Sequence, residues 1–175
     1  MSTATDRTRV RRMADRGVYD LEQIKAILDA NQVCHAAYVE NGEPRIIPTL
    51  YMRRGEHVYL HGNRQAALLR HLGSADEHED VLDAFVRTLV PGHEKRVRRA
   101  TRQELKATPV GRIPIDEASA KIRSGPPIDA EGDLNSDVWA GVIPLISQVL
   151  DPISAPDLKA GIEVPDYIRD YPGRH

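Results

Sequence analysis

Residues 33–62, VCHAAYVENGEPRIIPTLYMRRGEHVYLHG, set the architecture because they contain three strand-like runs joined by two tight turns. The three runs cover residues 33–39, 45–52 and 57–61. The dipeptide Asn41-Gly42 is typical of a two-residue hairpin turn, and Arg54-Gly55 supplies a second turn. Pro48 has no N–H to donate to a ladder, so it indicates an edge position or a bulge in the second strand. The segment therefore predicts an antiparallel meander.

Helical patterns on both sides of the meander make this an α+β chain. Asp20 and Gln23 have capping-box spacing and precede an apolar helical face. Further helices are predicted over 63–72, where Asn63 is the cap, and from a Ser74–Glu77 capping box to residue 90. Another short helix begins at Thr101. Residues 110–115 and 138–149 predict a fourth and a fifth strand. The strand–helix alternation of a doubly wound parallel sheet is missing.

Composition narrows the function classes. A length of 175 residues favours one domain, which we place at 18–150, between a flexible basic arm at 1–17 and a proline-rich tail at 151–175. A net charge of −2 argues against nucleic-acid binding through a bulk positive field. The lone cysteine, Cys34, excludes an internal disulfide. Because the N-terminus has no apolar core and no run is long enough to span a membrane, we expect a soluble cytoplasmic protein.

Known catalytic fingerprints are absent from the sequence, so no catalytic residue and no metal site is assigned. Neither of the common phosphate-binding glycine motifs occurs, nor does GxSxG or HExxH. One strand-end candidate remains at His61-Gly62-Asn63, where backbone N–H groups at the start of a helix could bind an anion. The alternative is a plain strand–helix corner. Trp139 is either a core residue or the lining of a planar ligand site.

Eight short runs resemble one known family in residue type and in order. They are RGVYD (16–20), ILDA (27–30), GEPRIIPT (42–49), YLHG (59–62), ELKAT (104–108), SAKIR (119–123), GPP (125–127) and WAGV (139–142). The chain therefore resembles the pyridoxamine 5′-phosphate oxidase-like, FMN-binding split-barrel family, on the branch that includes nitroimidazole-resistance proteins. The resemblance implies an antiparallel split β-barrel with peripheral helices, a homodimer, and FMN bound between the subunits.

The resemblance also implies the residues of the cofactor site and the class of reaction. The flavin-facing residues would be Arg45, Ile47, Pro48 and Thr49 on the second strand, and His61, Gly62 and Asn63 after the third. The site would be closed by Lys121, Arg123 and Trp139. The implied activity is an oxidoreductase that exchanges hydride or electrons with a small organic molecule through the flavin, because the cofactor carries the chemistry.

Two departures from the family pattern weaken the implied FMN site. Ala66-Ala67 stand where relatives carry a hydroxyl followed by a cation, and each lost charged hydrogen bond is worth about 1.5–3 kcal/mol. After Leu72 the chain also lacks roughly two strands that relatives use to hold the phosphate and to fill the barrel. We therefore expect an incomplete barrel. The alternative function is a dimeric, non-catalytic relative that has lost tight flavin binding.

Overall fold

The computed structural model describes residues 4–74 and 78–172. The strands are β1 (Gly17–Val18), β2 (Val33–Glu40), β3 (Glu43–Arg54), β4 (His57–His61), β5 (Gly73–Ser74), β6 (Val110–Pro114) and β7 (Ala120–Lys121). The helices are α1 (Leu21–Asp29), α2 (Ala67–His71), α3 (His78–Leu89), α4 (Arg102–Ala107) and α5 (Asp166–Arg169). The chain is thus α+β with antiparallel pairing, as the sequence predicts.

The predicted meander is the centre of a five-stranded antiparallel sheet with the order β2-β3-β4-β6-β5. Asn41 and Gly42 both have positive φ, 53° and 82°, which is the geometry that a two-residue hairpin between right-twisted strands requires. Gly55 makes the second turn with φ 59°, and Arg54 pairs with His57 across it. The hairpin predictions are confirmed because both turns carry residues suited to their backbone.

Pro48 lies in the half of β3 that pairs with β2 alone. β4 reaches only as far as Tyr51, so the other side of β3 is open from Leu50 backwards. The Tyr51 N–H donates to the Gln32 carbonyl on the β2 side (3.0 Å). Ladder groups alternate in direction along a strand, so the nitrogen of Pro48 points to the open side. Pro48 therefore lies on a locally unpaired side of β3, although β3 is an inner strand of the sheet.

One face of the sheet is covered by α1 and α2. Tyr51, Leu60 and Leu68 form its buried cluster, in which Leu68 comes from α2. Asp20 caps α1 by accepting the Gln23 N–H (2.9 Å), as its spacing predicts. The Tyr51 hydroxyl donates to the Leu28 carbonyl of α1 (2.6 Å), which joins the helix end to the sheet. We call this side of the sheet the α2 face.

The opposite face is covered in part by α3. Its amphipathic pattern buries Val81 and Phe85 against Met52, Tyr59 and Val110 of the sheet. These three sheet residues lie on the C-terminal half of β3, on β4 and on β6. Helix α3 therefore leaves the β2 side of the same face uncovered.

The helix following β4 begins later than the sequence predicts. The N-cap of α2 is Ala66, without a side-chain hydrogen bond, and the helix begins at Ala67. Asn63 instead accepts the Gln65 N–H (2.8 Å) and closes a turn before the helix. The Ser74–Glu77 capping box lies partly outside the described residues. The Thr101 cap is confirmed, with a complete capping box to Glu104.

The predicted fifth strand over 138–149 is wrong. Residues 122–165, which we call the arm, run between β7 and α5 with one short helical turn at Glu131–Asp133 and no strand. The run has the apolar composition of a strand, but no strand of its own chain pairs with it. A strand without a ladder partner is not stable.

The sheet is open in the described part of the chain, with β2 and β5 as its outer strands. Among the described residues between α2 and α3, the one strand is the two-residue β5, which pairs with β6; β6 in turn pairs with β4. A separate two-stranded sheet joins β1 to β7. None of the helices in the described residues combines the length and the apolar character that a membrane span needs.

Candidate functional site

The four β3 residues implied by the resemblance do not share one face of the sheet. Arg45, Ile47 and Thr49 alternate onto the α2 face, where Ile47 packs against the buried cluster. Pro48 points to the opposite face. The Arg45 guanidinium donates to the Glu43 carboxylate (2.6 Å), and half of its side chain remains exposed. A ligand lying on one side of β3 therefore contacts either Arg45 and Thr49 or Pro48.

At the end of β4, His61 points to the face that carries α3. Its ring meets the edge of Phe85 with a centroid distance of 4.6 Å. Burial lowers the pKa of the His61 imidazole below its ordinary value. The side chain is therefore neutral near pH 7 and can donate or accept one hydrogen bond, without adding a positive charge to an anion site.

The strand-end anion site has little support from the backbone geometry. The Gly62 N–H already donates to the Pro109 carbonyl (3.3 Å). A Cβ at Gly62 would lie 3.3 Å from Leu69 Cδ1, so this glycine is packed against α2. The Ala66 N–H donates to the Asn63 carbonyl (2.9 Å). These contacts describe the strand–helix corner that was the alternative interpretation.

The three residues expected to close the site lie outside the five-stranded sheet. Lys121 pairs with Gly17 in the separate sheet, and Arg123 follows it at the start of the arm. Trp139 lies within the arm and is 75% exposed. A Cβ at Gly141 would collide with its ring carbons, so Gly141 allows the indole to fold against the backbone. One chain therefore supplies these residues on separate elements.

Sequence reasoning missed a cluster at the edge of the α2 face. Tyr38 is the cross-strand partner of Arg45, and its ring lies 5.5 Å from that of His71 at the end of α2. Both Arg45 and His71 are exposed. A cation, a phenol and an imidazole are thus adjacent to a solvent-facing edge. No spacing rule could show this, because the three residues come from three elements.

The sequence analysis also missed an uncovered apolar surface, which we call the open face. It comprises Val33, His35, Ala37 and Val39 of β2 with Pro44, Ile46, Pro48 and Leu50 of β3, each pair in direct register. Its larger apolar side chains are 42–67% exposed. The sequence did indicate this surface, because the residues on both faces of β2 are mostly apolar. In a strand with one solvated face, apolar residues alternate with polar ones.

Comparisons with known proteins define the class. Residues 20–76 match the family model described as pyridoxamine 5′-phosphate oxidase. The solved structure of the flavocytochrome Anf3 from Azotobacter vinelandii is 33% identical, with a TM-score of 0.85 over 94% of this chain and 96% of that chain. The structure of the FAD and heme binding protein from Mycobacterium smegmatis is 25% identical, with a TM-score of 0.77 over 88% and 96%. No curated protein matches significantly.

These similarities and the open antiparallel sheet define a split-barrel fold of the flavin-binding type. The chain belongs to the pyridoxamine 5′-phosphate oxidase-like split-barrel family. The family prediction is therefore confirmed, whereas assignment to the nitroimidazole-resistance branch stays a prediction.

Proposed function

We propose that this protein is a dimeric, flavin-dependent oxidoreductase that acts on a small organic molecule. The observation that carries the proposal is the match to a flavocytochrome over nearly the whole of both chains at 33% identity. Support also comes from Arg45, an exposed cation on the strand where the family resemblance expects flavin contacts. When bound, a flavin supplies hydride or single-electron transfer.

Of the two common flavins, we propose FAD rather than the FMN implied by the resemblance. FMN depends strongly on its terminal phosphate, and Ala66-Ala67 offer that phosphate neither a hydroxyl nor a cation. The basic residues of α2 lie in its last turn, away from the start of the helix, and Arg70 is paired with Glu40 (2.7 Å). FAD carries an additional adenine nucleotide that the protein can contact, so its affinity depends less on a single phosphate. The second structural neighbour is named for FAD.

The side chains of this protein would bind and orient the flavin and exclude water from it. Arg45 would exchange its exposed partner Glu43 for a ligand phosphate, because a charged hydrogen bond to phosphate is strong. His61 points to the opposite face of the sheet, against Phe85 of α3, so it would not share a ligand with Arg45. The described residues supply no acid or base to which a proton-transfer step can be assigned.

The test is flavin content followed by reconstitution. We expect purified protein to be yellow, and flavin-free protein to bind FAD more tightly than FMN in a fluorescence titration. Arg45→Gln should weaken FAD binding at least tenfold, since a charged hydrogen bond is worth about 1.5–3 kcal/mol. Arg102→Gln, on the exposed α4, is the matched control and should leave it unchanged. A colourless protein that takes up neither flavin would overturn the proposal and leave the non-catalytic alternative.

A second candidate function is heme binding, favoured by the names of both structural neighbours. A heme needs apolar surface and an axial ligand such as histidine. In the described chain, His35 lies among apolar side chains on the open face, and His71 is exposed beside Tyr38. Added hemin should give a Soret band that His35→Ala or His71→Ala removes, each variant controlling for the other. An unchanged spectrum in the double variant would eliminate both ligands.

A further inference from the structure

A short basic segment lies between α3 and α4. Residues 95–99, KRVRR, which we call the basic segment, contain four cations and no carboxylate. Because the whole chain carries a net charge of −2, the rest of the chain carries −6. The four cations are all exposed: Lys95, Arg96, Arg98 and Arg99. A concentrated positive charge on a chain of negative net charge attracts an acidic partner to one place on its surface.

The basic segment is anchored on both sides. Before it, His93 Nδ1 and the Tyr167 hydroxyl form a hydrogen bond of 2.9 Å. After it, the capping box of Thr101 and Glu104 begins α4, and the Arg98 guanidinium donates twice to the Glu104 carboxylate (2.8 and 2.6 Å). The charges therefore project from ordered backbone, which lowers the entropy cost of binding a partner.

Three of the four cations are available to a partner. Arg99 lies 3.9 Å from Glu79, beyond hydrogen-bond distance, and its side chain is 86% exposed. Two others form no ion pair with another described residue: Lys95 and Arg96. An exposed ion pair such as that of Arg99 is weak. Carboxylates of a partner would therefore displace mainly water.

An apolar groove adjoins the basic segment. Val97 and Ala100 line a cavity of about 520 Å³ together with Leu82 and Val86 of α3. Val97 is 45% exposed, although it is the apolar residue at the centre of the basic segment. A cavity of this size can enclose a side chain of a partner, and its apolar lining favours an aliphatic one.

Three carboxylates also line this groove, and two of them already accept hydrogen bonds. Glu94 accepts the Gly92 N–H (2.9 Å), and Glu104 accepts the hydrogen bonds of its capping box and of the basic segment. The third is Asp83, and Arg87, one turn further along α3, lines the same groove and offsets its charge. The available cations of the basic segment therefore determine the charge beside the groove.

These surroundings favour an acidic protein over other polyanions. Duplex DNA and anionic bilayers present extended negative surfaces, which the charge of −6 on the rest of the chain opposes. Neither the basic segment nor the lining of the groove contains an aromatic side chain on which a base could stack. The lining formed by Leu82, Val86 and Val97 suits an aliphatic side chain, as in other grooves that bind peptides.

We propose that the basic segment and the adjoining groove dock an acidic segment of a partner protein, which inserts one aliphatic side chain between Val97 and α3. Carboxylates of the partner would pair with Arg96 and Arg99, whose guanidinium groups suit bidentate hydrogen bonds to a carboxylate. This surface shares no residue with the proposed flavin contacts. The docking therefore requires no flavin, and it is tested on flavin-free protein.

A fluorescein-labelled peptide of six glutamates around a central leucine measures the docking by fluorescence anisotropy. We expect the dissociation constant to rise about tenfold between 20 and 200 mM NaCl, because salt screens exposed charges. The double variant Arg96→Gln/Arg99→Gln should weaken binding about fivefold. Arg64→Gln removes an exposed arginine outside this surface and is the matched control, which should leave binding unchanged.

The contribution of the groove is separated from that of the charges by a second peptide with serine in place of leucine. The serine peptide should bind wild-type protein about fivefold more weakly, because the apolar contact is lost. Val97→Ser protein should no longer distinguish the two peptides, since the leucine has lost its partner. Equal affinity of the two peptides for wild-type protein would show attraction of charge alone and would overturn the docking mode.

Photo-cross-linking tests the location without any substitution in the protein. A p-benzoylphenylalanine replaces the leucine of the peptide, and we expect its cross-links to wild-type protein to map to residues 82–100. Cross-links elsewhere, binding that does not respond to salt, or an equal effect of Arg64→Gln would each contradict the proposal. Tighter binding of duplex DNA or of phosphatidylglycerol vesicles at the same concentration of negative charge would also overturn it, because the partner would then not be an acidic protein.

Discussion

Substitution of Gly111 by alanine tests how α2 packs on the sheet. Gly111 lies on β6 opposite Leu60, on the α2 face. An alanine Cβ there would lie 2.6 Å from Leu72 Cδ1, 2.8 Å from Leu72 Cβ and 3.2 Å from Leu69 Cδ2. Overpacking of this kind costs about 1–3 kcal/mol, and the reduced entropy of the unfolded chain offsets about 0.4–1 kcal/mol. The expected net loss is about 1–2 kcal/mol in the free energy of unfolding.

The assay is urea unfolding followed by far-ultraviolet circular dichroism at one fixed protein concentration, because association contributes to apparent stability. Leu72→Gly alone creates a cavity, but in the double variant it also makes room for the new methyl group, because it removes both Leu72 atoms nearest that position. We therefore expect the double variant to be about 1–2 kcal/mol more stable than additivity predicts. Gly132→Ala meets no atom within 4 Å and should stay within about 0.5 kcal/mol of wild type. An unchanged Gly111→Ala protein, or additive effects, would refute the packing of α2 described above.

Three further predictions concern single side chains. Burial lowers the pKa of His61 in the folded state. The free energy of unfolding therefore falls as the pH drops from 6.5 towards the folded pKa, because in that range the unfolded chain binds a proton that the folded chain does not. Urea unfolding at pH 7.5 and 5.5 should show a smaller loss for His61→Asn than for wild type. Thr101→Ala removes the hydroxyl that accepts the Glu104 N–H and should destabilise the start of α4 by about 1 kcal/mol, seen as faster amide exchange in that helix. Tyr51→Phe removes the hydroxyl that donates to the Leu28 carbonyl, which keeps the Asn31 N–H as a donor, and should lower the free energy of urea unfolding by about 1 kcal/mol.

Local signals predicted the sheet because its turns are determined by their own residues. Asn41 and Gly42 tolerate positive φ, and both adopt it. The cap at Asp20 and the capping box at Thr101 likewise involve partners within three residues. In each case the stabilising interaction joins residues that are close in sequence, so the sequence pattern predicts the structure correctly.

The candidate cofactor site was harder to predict because its evidence is not local. Gly62 suggested close approach of a phosphate, but the atom that a Cβ there would approach is Leu69 Cδ1 of α2. The alternation of β3 placed Pro48 and Thr49 on opposite faces, although both belong to one family-like run. A resemblance identifies residues along the chain, whereas a pocket depends on which face each side chain reaches.

The arm was misinterpreted for a related reason. A run such as residues 138–149 predicts a buried strand because apolar side chains must be covered, and sequence rules assume that the cover comes from the same chain. If a second copy provides it, the same composition needs no strand. A flavin held between two such copies would bind the dimer and not the separated chains. Dimerisation would then raise the affinity for flavin by the same factor by which bound flavin raises the affinity between the two copies, because coupling between two binding equilibria is reciprocal.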